Sequence, residues 1–214
     1  MTMHKHIILA VSIILLAAST ASAQWKPAEL GLGLKVGAGI SDVANSTKPT
    51  DTRTAYVVGG MLNYKQNSWV SFQMELLYTL KGYRRKDVIV RDSTGEMVGT
   101  TNAEFILGYA EVPVLAKFTP PIKGKYRPYL LGGGFMGISI YDKYRVSNDL
   151  VAIDFDLENV EKVDMGATVA VGIDIKAGDG WVSFETRFDS SLLPAIKDQD
   201  QKSQVIFFQF GYWW

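Results

Sequence analysis

The 214-residue chain has no cysteine, and its only two histidines, His4 and His6, sit at the extreme N-terminus. Beyond them no side chain supplies a thiolate or an imidazole, so Cys nucleophiles, His-based triads and the usual zinc sites are excluded. No disulfide can staple the fold, which must be held by sheet closure and packing. Charge of one sign is missing as well: 22 Lys and Arg stand against 22 Asp and Glu. No general affinity for nucleic acid or another polyanion follows from such a balance. No close internal repeat and no low-complexity linker divides the chain.

What is present begins with a leader. His4-Lys5-His6 precedes an apolar run from Ile7 to Ala18 and then Ala21-Ser22-Ala23, a small-residue cleavage pattern. That run falls short of the roughly 20 residues a spanning helix needs. Residues 1–23 therefore read as a cleaved secretory signal, and residues 24–214 as one exported domain. No Cys follows the run, which excludes a lipoprotein anchor. Removing Lys5 leaves acids one ahead of bases.

The other end, Gln204 to Trp214, alternates with period two. Ile206, Phe208, Phe210, Tyr212 and Trp214 share one face, and Val205, Phe207, Gln209, Gly211 and Trp213 the other. It reads as the closing strand of a barrel, and its aromatic terminus resembles the insertion signal that the barrel-assembly machinery reads. Seven further strands precede it. Leu30 to Ser41 sets an apolar face against Gly31, Gly33, Lys35, Gly37 and Gly39. Thr54 to Tyr64 alternates less cleanly. Val70 to Lys81 opposes Phe72, Met74, Leu76 and Tyr78 to Ser71, Gln73 and Glu75. Asn102 to Phe118 carries Glu111, Pro113 and Lys117 on its polar face. Since Pro113 cannot donate to a ladder, a bulge or a missing bond is expected there. Tyr126 to Tyr141 runs through Gly132-Gly133-Gly134 with both faces mixed. Val163 to Ile175 opposes its valines to Asp164, Thr168 and Asp174, and Val182 to Asp189 opposes Phe184 and Phe188 to Glu185 and Arg187.

Connections near 42–53, 84–101, 142–161 and 190–203 are long and polar, whereas 65–69, 119–125 and 176–180 are short and carry turn signals. Four long loops on one side and three short turns on the other are the topology of an outer-membrane barrel. The expected fold is therefore all-β: an eight-stranded antiparallel up-and-down transmembrane barrel with four long external loops.

Several runs carry a family likeness. Leu34 to Gly39, Glu75 to Gly82, Arg127 to Gly133, Glu185 to Phe188 and above all Tyr109-Ala110-Glu111-Val112-Pro113-Val114-Leu115-Ala116-Lys117 resemble the PorT-like outer-membrane β-barrel domain proteins, often called porin family. The resemblance implies an eight-stranded barrel of the OmpA or OmpX kind. Its namesake's link to protein secretion does not travel with the fold.

Two architectures fit eight up-and-down strands, a lipid-embedded barrel and a soluble lipocalin-like carrier. The Gly-rich, charge-bearing face suits a narrow interior, and tyrosines near strand ends suit interfacial girdles, so the membrane barrel is expected. Lys35, Glu75, Glu111, Lys117, Asp164, Glu185 and Arg187 then point inward and must pair with one another, as a structural network rather than a catalytic site. Lys81, Arg84, Arg85 and Lys86 cluster where the third strand leaves the membrane and could contact lipopolysaccharide phosphates. Asp154-Phe155-Asp156-Leu157-Glu158 lacks the glycine and distal glutamate of a calcium loop and reads as a solvated acidic stretch. No cofactor or metal is expected.

Three functional classes follow. The leading one is a monomeric structural or interaction barrel whose surface loops meet lipopolysaccharide, a partner protein or a secretion assembly. A narrow small-solute pore is second. An outer-membrane enzyme restricted to carboxylate, Ser, Lys or Tyr chemistry is last.

Overall fold

The computed structural model describes residues 30–44, 50–91, 96–147, 152–156, 161–194 and 201–214, with Gly31–Trp214 as one compact unit. The expected signal, residues 1–23, lies outside the described residues. Nine strands run in order: β1 (Leu30–Ala44), β2 (Asp51–Lys65), β3 (Val70–Arg91), β4 (Met97–Phe118), β5 (Tyr126–Ser147), β6 (Ala152–Asp156), β7 (Val163–Ala177), β8 (Gly180–Pro194) and β9 (Lys202–Trp213). Eight form a closed antiparallel ring, β1-β2-β3-β4-β5-β7-β8-β9, and the short β6 pairs with β5 outside it. Closure is made by the two chain ends, with β9 antiparallel to β1 from Gly33↔Trp213 to Ala44↔Lys202. Reciprocal bonds between Leu32 and Trp214, 3.0 and 2.9 Å, finish the seam, so no edge is left open around the ring.

The two faces are inverted relative to a water-soluble protein. Leu34 is 65% exposed and Leu76 66%, whereas Glu111 and Arg187 are each 1% exposed. Alternation along each strand sends the apolar side chains outward and the charges into the lumen. That inversion sets aside the lipocalin-like carrier, whose outer face would have to be wetted. Strand β5, whose faces the sequence leaves mixed, turns Tyr129, Leu131 and Phe135 inward and Leu130, Ile138 and Ile140 outward.

Expected loops 84–101 and 142–161 are a correction. Strands β3, β4 and β5 are each 22 residues long, and the 142–161 stretch contains the end of β5 and all of β6. A tilted strand crosses a membrane in roughly 9–11 residues, so these three continue well past the apolar band as a projecting sheet. Polar composition reads as loop, yet the β3–β4 ladder continues through Val88, Ile89 and Val90, the register partners of Thr101, Thr100 and Gly99. Register also aligns Asp51, Arg84, Glu104 and Arg145 across four strands in a row of alternating sign. Opposite charges directly across a ladder stabilise it where no hydrocarbon does.

Two irregularities have local causes. Between Met74↔Val114 and Leu77↔Glu111 the β3–β4 ladder keeps its register but skips the positions opposite Pro113, so the missing bond is there without a bulge. Between Thr52 and Tyr56 the β2–β3 register shifts, and the Ser41 hydroxyl, reaching across from β1, bonds the Gly82 main chain at 2.7 Å to its carbonyl and 3.0 Å from its N–H. Gly82 has φ 151°, and a Cβ there would run into the Phe105 carbonyl.

Sidedness is directly testable. Val169, at the middle of β7 and facing outward, should tolerate charge badly: Val169→Arg is expected to lower folding stability in lipid vesicles by about 2–4 kcal/mol. Urea titration of refolded protein measures it. A loss of a few tenths of a kcal/mol would mean the face is not in hydrocarbon.

Candidate functional site

The strands bring many charges together in the lumen, in three levels. Nearest the short turns, Lys117 on β4 bonds Asp174 on β7 at 2.7 Å; Ser183 (2.6 Å) and the Trp213 indole (3.3 Å) donate to the other oxygen. In the middle, Lys35 on β1 holds Glu75 on β3 at 2.7 Å and Glu185 on β8 at 3.0 Å. Arg187 on β8 bonds Glu75 at 2.6 Å through Nη1 and Asp189 at 2.7 Å through Nε, with Thr168 at 3.2 Å on Nη2. Gln73 donates to Glu75 at 2.5 Å and the Tyr129 hydroxyl to Glu185 at 3.0 Å. Toward the long-loop side, Lys81 bridges Glu111 (2.8 Å) and Asp164 (2.6 Å), which also accept from Thr79 and Ser191.

Position on the ring gives these pairs their meaning. β3 and β8 lie opposite one another, so Arg187–Glu75 spans the barrel's diameter, with both side chains at 0% exposure. Cations are further enclosed by rings: Lys117 lies 3.8 Å from the Tyr129 centroid, and Lys81 lies 4.7 Å from Tyr109 and 5.1 Å from Phe135. Inward glycines make that filling possible. Gly172 is the register partner of Tyr129 and Gly166 of Phe135, and a Cβ on either glycine would strike the opposing ring.

All seven lumen residues inferred from alternation, Lys35, Glu75, Glu111, Lys117, Asp164, Glu185 and Arg187, are buried and joined in these levels. Lys81 is a correction: with 2% exposure and two carboxylate partners it belongs to the lumen, not to the rim. Arg84 is exposed and bonds Glu104 at 3.3 Å, sharing that oxygen with Arg53 at 2.8 Å. Arg85 is half-buried, 5.3 and 5.4 Å from the stacked rings of Tyr83 and Phe105, with Gln201 at 3.2 Å. The side chain of Lys86 lies outside the described residues, as do those of Asp154 and Asp156 in β6 and the whole of Leu157 and Glu158. Ile206, Phe208, Phe210, Tyr212 and Trp214 all face outward. Asp174, Asp189, Tyr129 and Thr168 were absent from the inferred network. Asp174, Asp189 and Thr168 follow the inward phase of their strands and could have been found from it, whereas Tyr129 lies on the strand whose sides the sequence leaves open.

The charged groups of this arrangement are paired with one another. Glu75, Glu111, Asp164, Asp174, Glu185 and Asp189 each already hold a Lys or Arg. Among the described residues no lumen carboxylate pair is left to share a cation. A family model, described as outer membrane protein beta-barrel domain, matches residues 22–197. The chain belongs to that family.

It is an integral outer-membrane barrel protein. The protein is similar in fold to Ail of Yersinia pestis, solved in complex with the heparin analogue sucrose octasulfate, at 15% identity over 87% of this chain and 99% of that one, TM-score 0.43. It is similar to Neisserial surface protein A at 9% identity over 86% and 96% of the two chains, TM-score 0.47. OprG of Pseudomonas aeruginosa gives 10% identity over 87% and 96%, TM-score 0.48. No characterised protein matches the barrel in sequence.

Breaking a buried pair leaves an unpaired charge in the lumen. Arg187→Ala is expected to cost about 3–5 kcal/mol, whereas the half-exposed Arg84→Ala should cost at most about 1 kcal/mol. Unfolding in vesicles compares the two, and equal losses would contradict the burial of Arg187.

Proposed function

We propose that the barrel is neither a conducting pore nor an enzyme, and that it acts outside the membrane as an interaction platform. The observation that carries this reading is the set of ion pairs crossing the lumen, above all Arg187–Glu75, with rings packed against the cations. An eight-stranded interior has room for little besides its own side chains. The absence of His and Cys beyond the leader, together with lumen carboxylates that each hold a Lys or Arg, supports the non-catalytic reading.

Outside, the projecting sheet of β3, β4, β5 and β6 offers the surface, and Arg84 with the neighbouring Arg85 and Lys86 offers charge to lipopolysaccharide phosphates or to a partner protein. A ring that closes on itself through its own two ends supports a monomer. The outward aromatic face of β9 supports recognition by the barrel-assembly machinery during insertion, and the Ala-x-Ala leader supports signal cleavage. Within the family, the Tyr109–Lys117 run supports placement among the PorT-like members, without a secretion role following from it.

Planar-bilayer recording on the purified protein tests the closed lumen. Small, rare conductance steps and no uptake of small sugars into liposomes are expected. Steady wild-type channels passing such sugars would make the pore the better account.

A further inference from the structure

The short-turn end is strongly basic. Lys65, Lys123, Lys125, Arg127 and Lys176 lie at or beside the three turns, against one acidic side chain among the described residues, Asp179. None of the five forms an ion pair among the described residues; Lys176 Nζ bonds only the Asp179 carbonyl at 2.9 Å. Two are held close together by one ring, since the Arg127 guanidinium lies 3.8 Å and Lys176 Nζ 5.1 Å from the Trp181 centroid. Trp69, Ile122, Tyr126 and Trp214, each more than half exposed, stand at the same level. Aromatics flanked by cations are the composition of a membrane interface, where the cations meet anionic headgroups.

A second observation lies on the outward wall just above this collar. A furrow of about 660 Å³ crosses β7, β8, β9 and β1. One side of it is a single register row, Val36, Phe210, Phe184 and Ile173, and the other dips at Thr186, whose side chain is too small to fill the gap. Four strands give three spacings of roughly 4.8 Å, a length of about 14 Å, and strands tilted by roughly 45° carry this row obliquely up the wall. Ile173 lies about 10 Å along β7 from Lys176, the rise of three residues. Headgroup charge and chain slot are thus stacked in the order that a phospholipid requires.

We propose that the β7–β8–β9–β1 face is a binding site for an anionic phospholipid of the periplasmic leaflet. The basic collar takes its phosphate, and the furrow centred on Thr186 takes one acyl chain. The site depends on the barrel spanning the membrane and is independent of what the external sheet binds.

The test uses the full folded protein, incorporated into nanodiscs of phosphatidylcholine with an equal share of phosphatidylglycerol and released for native mass spectrometry. Wild type should retain phosphatidylglycerol in preference to phosphatidylcholine. Lys176→Gln with Lys125→Gln, the lysine on β7 below the furrow and its neighbour in the adjoining turn, should lower that preference roughly tenfold or more. Thr186→Phe, which fills the furrow, should lower retention of both lipids, and Lys162→Gln at the opposite end should change neither. All variants alter exposed positions, and a heat-modifiability gel confirms that each is folded. Equal retention of the two lipids by wild type, an unchanged preference in the lysine variant, or unchanged retention in Thr186→Phe would each overturn the site. So would retention of an added polyglutamate peptide by lipid-free protein at the same lysines, which would make the collar a surface for acidic proteins.

Discussion

Everything in this barrel depends on burying charge without leaving any of it alone. The pair between Arg187 on β8 and Glu75 on β3 shows the constraint most sharply, because it crosses the full width of the ring and both side chains are shut off from solvent. A carboxylate or guanidinium in that position carries a desolvation cost of several kcal/mol and persists only when its remaining hydrogen-bonding capacity is met. Glu75 is met by Lys35, Arg187 and Gln73, and Arg187 by Glu75, Asp189 and Thr168. Lys35 on β1, Thr168 on β7 and the Glu75–Arg187 pair itself join four strands of the wall, so the network also fixes which strands lie across from one another. Packing and register are thereby set by the same contacts.

The rest of the interior follows from that requirement. Long side chains crossing a narrow lumen leave room for few others, so the inward positions opposite the rings fall to glycine, as at Gly172 beside Tyr129 and Gly166 beside Phe135. Hydrocarbon outside does the opposite work, accepting Leu34, Leu76 and Phe208 but offering nothing to a polar atom. Beyond the membrane neither condition applies. There the hairpins of β3, β4, β5 and β6 are held by cross-strand pairing and alternating charge, with Gly82 and Ser41 marking the level where the β2–β3 register breaks.

Much of this was legible in the residues. A period of two assigns an inward phase to seven of the eight ring strands, and it finds the lumen charges without any knowledge of their partners. The failures have physical reasons. Lys81 has the inward phase of β3 but stands three and four residues from Arg84 and Arg85, so sequence proximity groups it with the rim while strand phase sends it into the lumen. On β5 the three consecutive glycines have no side chain with which to report a face, so Tyr129, which completes the middle level, was not placed. Polarity marks a loop only where the strand's surroundings are apolar, so the composition of the projecting sheet carries no sign of its strands. Which charge pairs with which depends on ring order and tilt, and neither is encoded within one strand.

A barrel bolted across its own lumen is proposed to act at its two ends, one a projecting sheet and the other a basic, aromatic collar. That conclusion rests on the energetic coupling across the diameter, and a double-mutant cycle on Glu75→Gln and Arg187→Met, read from reversible unfolding in lipid vesicles, measures it most directly. The account predicts a coupling in the upper part of the range of about 0.5–3 kcal/mol found for residues in contact. Additive losses, with coupling near zero, would show that the two charges do not meet and that the lumen is held shut by something else.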